Sequence, residues 1–192
     1  MIALGIDPGT RKLGWGVVAR RGNKLTHVSH GIIRLNPKDS LPIRLTHIER
    51  GLDEVLREFR PTVSSVETLF FHKDAQAAAK LGHARGVVLL SLARAGIQVF
   101  EYAPAKVKRT IAGGGRADKR QVALMMQSLL ALKALPGEDA TDALALAVTH
   151  LRLGAGTERL LLASEAMKER SRAYRSLLAR KRRAVAHAPE EL

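Results

Sequence analysis

Four acidic residues occupy positions where the chain could bring carboxylates together. Asp7 follows the apolar stretch at residues 2–6, and Glu67 ends a second short apolar stretch. Asp139 and Asp142 are three residues apart, so a helix would place them on one face. Each position also has an ordinary explanation. Aspartate is common in turns, and an acid near a helix N-terminus complements the helix dipole.

Clustered carboxylates would repel one another and lose hydration unless a cation joined them. Oxygen-only ligand sets suit Mg²⁺ or Mn²⁺. Two such ions, roughly 4 Å apart, could hold a phosphodiester, activate the attacking water and stabilise the leaving oxygen. We therefore predict a site for two Mg²⁺ or Mn²⁺ ions formed by Asp7, Glu67, Asp139 and Asp142. Asp7 is expected to bridge the ions, because a strand gives it little freedom; Asp139 is either a ligand or a general base.

The hydrophobic pattern predicts the elements that must position these acids. Strands are expected at residues 2–7, 14–20, 24–34, 63–67 and 97–102, and helices at 41–59, 73–95, 105–111, 118–132 and 138–153. The first three strands should be antiparallel, and Gly82 and Gly86 should interrupt the second helix. This order predicts an α/β fold with a five-stranded mixed sheet flanked by helices. If the first and fourth strands are parallel neighbours, their acids meet at one sheet edge.

The composition indicates a polyanionic partner. The 192 residues include 32 Lys and Arg against 18 Asp and Glu, a formal net charge of +14. Such an excess is typical of nucleic-acid binding and less often of binding to anionic lipid. We predict a domain at residues 1–156 and a basic extension at 157–192, helical or disordered. No apolar run reaches membrane-spanning length, and the lack of cysteine fits a reducing, cytoplasmic location.

Basic and aromatic side chains near the acids are candidates for DNA contact. The predicted basic contacts are Lys73, Lys106, Lys108, Arg109, Arg116, Lys119 and Arg120. Lys119 is the candidate for stabilising charge at the scissile phosphate. A solvated helix face is the alternative for most of this set. Phe70 and Phe71 follow Glu67 closely, and aromatic side chains can stack on unpaired bases.

Four ordered segments resemble one family. They are GIDPGTRKLGWGVV, VETLFFHKDAQAAAKLGHARG, FEYAPAKVKRTIAGGGRADKRQV and EDATDALALAVTH. In order and spacing they are similar to the RuvC family of bacterial Holliday-junction resolvases, over about residues 1–154. The resemblance implies a ribonuclease-H-like fold and a homodimer. It also implies a metal-dependent endodeoxyribonuclease that makes paired nicks in four-way DNA junctions during recombination and repair.

The resemblance also assigns residues and partners. The four acids align with the family's active-site acids, and Lys119 aligns with a lysine after a glycine-rich turn. Phe70 stands where a phenylalanine stacks on a base at the opened junction. The family acts with the RuvA–RuvB branch-migration complex. Small residues in the predicted helix at 73–95 suit either a twofold dimer contact or packing on its own sheet.

Three other functions are also compatible with these sequence features. The segment GIDPGT also fits the phosphate loop of sugar kinases and actin-like ATPases, but that class needs two such subdomains and a much longer chain. Another ribonuclease-H-like nuclease could cut a different branched nucleic acid. A junction-binding protein without catalysis would bind DNA and give no metal-dependent products.

Overall fold

The computed structural model describes residues 1–68 and 75–154, and its compact first unit is Met1–Arg152. Its sheet has five strands: β1 (Ile2–Asp7), β2 (Lys12–Arg21), β3 (Lys24–Arg34), β4 (Val63–Glu67) and β5 (Gln98–Tyr102). They lie in the order β3-β2-β1-β4-β5. The pairs β1–β2 and β2–β3 are antiparallel, whereas β1–β4 and β4–β5 are parallel. The predicted mixed sheet is confirmed.

Five helices surround this sheet in the described part of the chain. Four have defined ends: α1 (Leu41–Phe59), α2 (Ala75–Arg94), α3 (Pro104–Ala112) and α4 (Lys119–Leu130). The fifth, α5, covers residues 138–154 as far as the description extends. Predicted boundaries differ from these by one or two residues, and the predicted start of the second helix at residue 73 falls outside the described residues. No helix in the described ranges is long and apolar enough to cross a membrane.

The predicted interruption of the second helix is wrong. Residues 75–94 form one continuous helix through Gly82 and Gly86. A glycine inside a helix costs about 1 kcal/mol relative to alanine. Ala84, Val88 and Leu92 lie buried on one face of α2 and pack into the hydrophobic core. Tertiary packing of this face therefore outweighs the cost of the two glycines.

The sheet separates two packing layers. On one face, the large side chains Leu4, Ile6, Leu13 and Val17 form a core with buried residues of α1 and α2. Since side chains alternate along a strand, Gly5 and Asp7 of β1 face the opposite layer. That layer contains α5. The acid end of β1 is therefore on the α5 side of the sheet.

Candidate active site

Asp7 and Glu67 reach the same edge of the sheet because their strands are parallel neighbours. The register between β1 and β4 runs from Ala3 opposite Val63 to Ile6 opposite Val66. One residue further, each strand ends in its acid. The two side chains also point to the same face, because the register advances equally along both strands. The condition under which the two acids meet, that the first and fourth strands are parallel neighbours, is fulfilled.

Glycines on the sheet let α5 approach this edge. A Cβ atom on Gly5 would overlap the main-chain oxygen of Ala143, and one on Gly14 would overlap that of Asp139. Gly14 is also the cross-strand partner of Asp7. The helix backbone therefore lies directly on the strands, with its first turn beside the acid that ends β1. Sequence reasoning missed this role.

An open pocket of about 360 Å³ lies at this edge. Its charged lining consists of Asp7, Glu67, Asp142, Lys108 and Lys119, and its remaining lining consists of Pro104, Val107, Val122, Ala145 and Leu146. The structure thus brings three of the four predicted carboxylates together with two predicted basic residues. Asp139 lies outside this lining, but its charge acts on Asp7 and Asp142.

Asp7 has the most perturbed acidity of the cluster. Its pKa is raised from 3.8 to about 7, first by burial and then by the negative charges of Asp142, Glu67 and Asp139. The ammonium of Lys119 opposes this shift. The surrounding groups therefore do not balance the negative charge of Asp7, and a bound cation would stabilise its ionised form.

The neighbouring carboxyls respond in the same direction. Burial is the main cause that raises the pKa of Glu67, and the charge of Asp142 adds to it. Burial also raises the pKa of Asp142, while Lys119 lowers it. Negative charge is therefore concentrated at this pocket, although the chain as a whole is strongly basic. Perturbed carboxyls in a cleft are typical of functional sites.

Arg85 on α2 fixes the end of the strand that carries Glu67. Its guanidinium is 7% exposed and donates to the main-chain oxygen of Glu67 at 2.5 Å. A second nitrogen forms an ion pair of 2.7 Å with Glu101 on β5. The planar fork of arginine suits such a two-sided contact. Arg85 thereby holds the ends of β4 and β5, and its charge lowers the pKa of Glu67.

Lys119 occupies the other side of the pocket, at the first residue of α4. Asp118 caps this helix by accepting a hydrogen bond from the Gln121 amide, and the Gln121 side chain accepts one from the Asp118 amide. The reciprocal bonds fix the turn from which Lys119 projects. Its ammonium donates to the carboxylate of Glu138, the first residue of α5. This hydrogen bond is the main cause that raises the pKa of Lys119.

The donor set fits a divalent cation in its chemistry. Three carboxylates line one pocket, and hard divalent ions take oxygen ligands. Burial and mutual repulsion among these acids provide the charge that an ion would neutralise. Within residues 1–68 and 75–154, however, no group of three or more His, Cys, Asp or Glu side chains is close enough together to hold a metal ion as the side chains stand. The residues are gathered in one place, but a complete coordination shell is not formed.

The other predicted DNA contacts fall into two groups. Lys106, Arg109, Arg116 and Arg120 are exposed and lie outside the pocket lining. Lys108 is half-buried and lines the pocket beside the acids. Phe70, Phe71 and Lys73 lie outside the described residues.

The sheet order and the acids at its edge define a class, the ribonuclease-H-like nucleases. Solved structures with this fold include two resolvases. T. thermophilus RuvC in complex with a Holliday junction substrate matches with a TM-score of 0.75 and 40% identity, covering 79% of this chain and 93% of that one. The yeast mitochondrial Holliday junction resolvase Ydc2 matches with a TM-score of 0.58 and 13% identity, covering 82% of each chain, and supports the fold alone.

Sequence similarity identifies the family within this class. The crossover junction endodeoxyribonuclease RuvC of Sorangium cellulosum is 49% identical over 178 residues, which are 93% of this chain and 99% of the relative. The family model for crossover junction endodeoxyribonuclease RuvC matches residues 3–150. The chain belongs to the RuvC family. It is therefore an endodeoxyribonuclease of a family that depends on divalent metal ions.

Proposed function

We propose that this protein resolves four-way DNA junctions by making paired nicks in opposed strands, with Asp7, Glu67, Asp139 and Asp142 as the acids of each active site. The convergence of three of these acids with Lys119 in one pocket is the observation that carries the proposal. The T. thermophilus relative has been solved with a Holliday junction substrate. A net charge of +14 suits the binding of such a densely charged substrate.

The four acids would hold Mg²⁺ or Mn²⁺, two ions in each site. When bound, such ions activate water and neutralise charge on the phosphodiester. Asp7, at the end of β1, and Glu67 and Asp142, which line the same pocket, would supply oxygen ligands to these ions. Asp139, just outside the lining, is either a further ligand or a base that accepts a proton from water.

Lys119 and Lys108 would contact the scissile phosphate. Both line the pocket that contains the acids. Their charges lower the pKa values of Glu67 and Asp142, which supports a position for both ammonium groups beside the proposed reacting phosphate. A fixed positive charge stabilises the additional negative charge that develops in phosphodiester hydrolysis. The exposed basic residues around them would hold the DNA backbone without selecting the bond that is cut.

A symmetric junction offers two equivalent strands, so we propose a twofold dimer with two identical sites. The small residues of α2 suit a close contact with a second copy. The RuvA–RuvB complex is the further partner that the family resemblance implies. Size-exclusion chromatography with light scattering tests the dimer, and a monomer at all concentrations would contradict it.

One assay tests the proposed reaction. The full chain is incubated with a labelled four-way junction, or with a duplex of the same sequence, in EDTA, Mg²⁺ or Mn²⁺. We expect paired, symmetric nicks in the junction, only with metal, and little cutting of the duplex. Equal cutting of both substrates would contradict junction selectivity. Metal-dependent ATP hydrolysis without DNA would instead favour a phosphotransferase.

The same assay tests Phe70, which we propose stacks on a base at the junction centre. Base stacking on an aromatic side chain contributes about 1–3 kcal/mol. Phe70→Ala should therefore reduce junction cutting by about fivefold or more. Metal titration of the DNA-free variant should match the wild type. An unchanged rate of junction cutting would remove Phe70 from the mechanism.

A further inference from the structure

The pairing of Lys119 with Glu138 has a consequence for DNA binding. Both side chains are exposed, with 69% and 63% of their surfaces accessible. Lys119 lines the acid pocket, whereas Glu138 lies outside its lining at the start of α5. The ammonium of Lys119 therefore lies in the pocket, and the carboxylate of Glu138, to which it donates, lies just outside the pocket lining at its rim.

Glu138 presents to Lys119 the same kind of group that DNA presents. A carboxylate offers anionic oxygens as hydrogen-bond acceptors, and so does a phosphodiester. An ammonium has three donors on one small centre, and the pocket acids already place negative charge near it. Glu138 occupies one of these donors, so a phosphate competes with it for the positive charge and the position of Lys119 rather than for its last donor.

The strength of this contact makes exchange feasible. Exposed ion pairs contribute little to stability, because water screens them and both side chains lose freedom. DNA brings many phosphates at once, and its binding releases counterions. The Lys119–Glu138 pair is strong enough to bias the lysine in the free protein and weak enough to be displaced.

Glu138 has a second effect on the same pocket. Its charge is among those that raise the pKa of Asp142, so it adds to the negative potential near the acids. A phosphodiester entering the pocket would meet this charge as well. Both effects oppose DNA binding when no metal ion is present.

We propose that Glu138 is an internal competitor for DNA: it holds Lys119 at the pocket rim, and a DNA phosphate displaces it on binding. Glu138 acts through Lys119 and is a positioning residue. The inference rests on the proposed function in one respect, namely that the phosphate to be cut enters the pocket that Lys119 lines.

A double-mutant cycle tests the competition. The wild type, Glu138→Gln, Lys119→Gln and the double variant are titrated with a fluorescent four-way junction in EDTA, and binding is followed by anisotropy. Glu138→Gln should tighten binding roughly threefold to fivefold, the size of change expected when one exposed ion pair is removed. In the Lys119→Gln background, the same substitution should have little effect.

Each other outcome overturns the inference. Equal tightening in both backgrounds would mean that Glu138 acts only as general negative charge. Unchanged binding would mean that no competition exists, and weaker binding would mean that Glu138 presents Lys119 productively to DNA. Glu54→Gln is the matched control. It removes an exposed carboxylate from α1, on the opposite face of the sheet, and should leave binding unchanged.

The readout separates this inference from the proposed reaction. No metal is present, so no strand is cut while binding is measured. A protein that shows the predicted coupling but never cuts junctions with Mg²⁺ or Mn²⁺ would lose the proposed activity and retain the competition. Junction cutting without coupling in the cycle would leave the activity intact and contradict the role of Glu138.

Discussion

The two faces of the sheet are built for different purposes, although they belong to the same strands. Leu4 and Gly5 are adjacent in β1, yet Leu4 is fully buried in the core under α1 and α2, whereas Gly5 lies against the backbone of α5. One face gains stability from large apolar side chains. The other face has glycines in place of larger side chains, so the backbone of α5 can lie close to the strands.

The difference shows how a small fold places charged groups together at a tolerable cost. Burial of leucine-sized side chains contributes about 1.5–3 kcal/mol each, and several lie on the first face. On the second face, short residues leave room for α5, and acids collect where the strands end. The apolar face therefore stabilises a fold whose other face accumulates unfavourable negative charge.

The largest effect should come from the acid at the centre. Asp7→Asn keeps the shape of the site but removes the carboxylate, so we expect loss of metal-dependent junction cutting and largely intact junction binding. Removal of a buried charge that other acids repel should also raise the free energy of unfolding of the metal-free protein. Gel-based cleavage, anisotropy and urea denaturation measure the three quantities. Cutting at the wild-type rate would exclude Asp7 from the mechanism.

The second largest effect should come from a substitution that disturbs the close contact between β1 and α5. Gly5→Ala places a methyl group where the main-chain oxygen of Ala143 lies, so the helix must move or the strand must bend. We expect both the free energy of unfolding and the cutting rate to fall, because Asp142 is on the displaced helix. Cleavage should be measured at a temperature below the unfolding transition, and urea denaturation gives the free energy of unfolding. A variant with normal stability and normal activity would show that the two layers are not in tight contact.

Leu4→Ala is the matched change on the other face. It removes a fully buried leucine and should lower the free energy of unfolding by about 2–5 kcal/mol. The folded fraction should cut junctions at nearly the wild-type rate, because no group of the pocket is altered. Cutting normalised to the folded fraction checks this. A large loss of normalised activity would contradict the division between the faces.

The smallest effect is expected at an open position of α2. Gly86 is exposed, and no described atom lies within 4 Å of a Cβ built there. Gly86→Ala should therefore raise the free energy of unfolding by roughly 0.5–1 kcal/mol through helix propensity. Urea denaturation at two protein concentrations measures it. Destabilisation that depends on concentration would indicate instead that a second copy packs against Gly86.

Much of the fold follows from local patterns in the sequence. Alternating and helical apolar spacing located β1, β3, β4 and α1, and the acids could be assigned to strand ends and a helix start. The sequence could not show how closely α5 approaches, because Gly5 and Gly14 are also compatible with ordinary strand or turn positions. Alternate glycines on one face of a strand were the available signal.

Other contacts depend on helix packing and strand register, which cannot be read from the sequence. Arg85 lies in the middle of a helix, and only the packing of α2 brings it to Glu67 and Glu101. His27 and His30 provide a second example. A bulge between Val17 and Val18 changes the register of β3, so both imidazoles face one side and their nitrogens approach to 2.8 Å.

The buried side chain of Arg85 joins α2 to the ends of β4 and β5, beside the pocket. Arg85 lies on α2, the helix proposed for contact with a second copy. Its guanidinium donates to the main-chain oxygen of Glu67, whose side chain lines the pocket. In the proposed dimer, a shift of α2 would pull on the backbone beside the reacting bond through one stiff, two-pronged side chain. Dimer formation through α2 would then affect the position of Glu67, and therefore the rate of cutting, through the contacts of Arg85 alone.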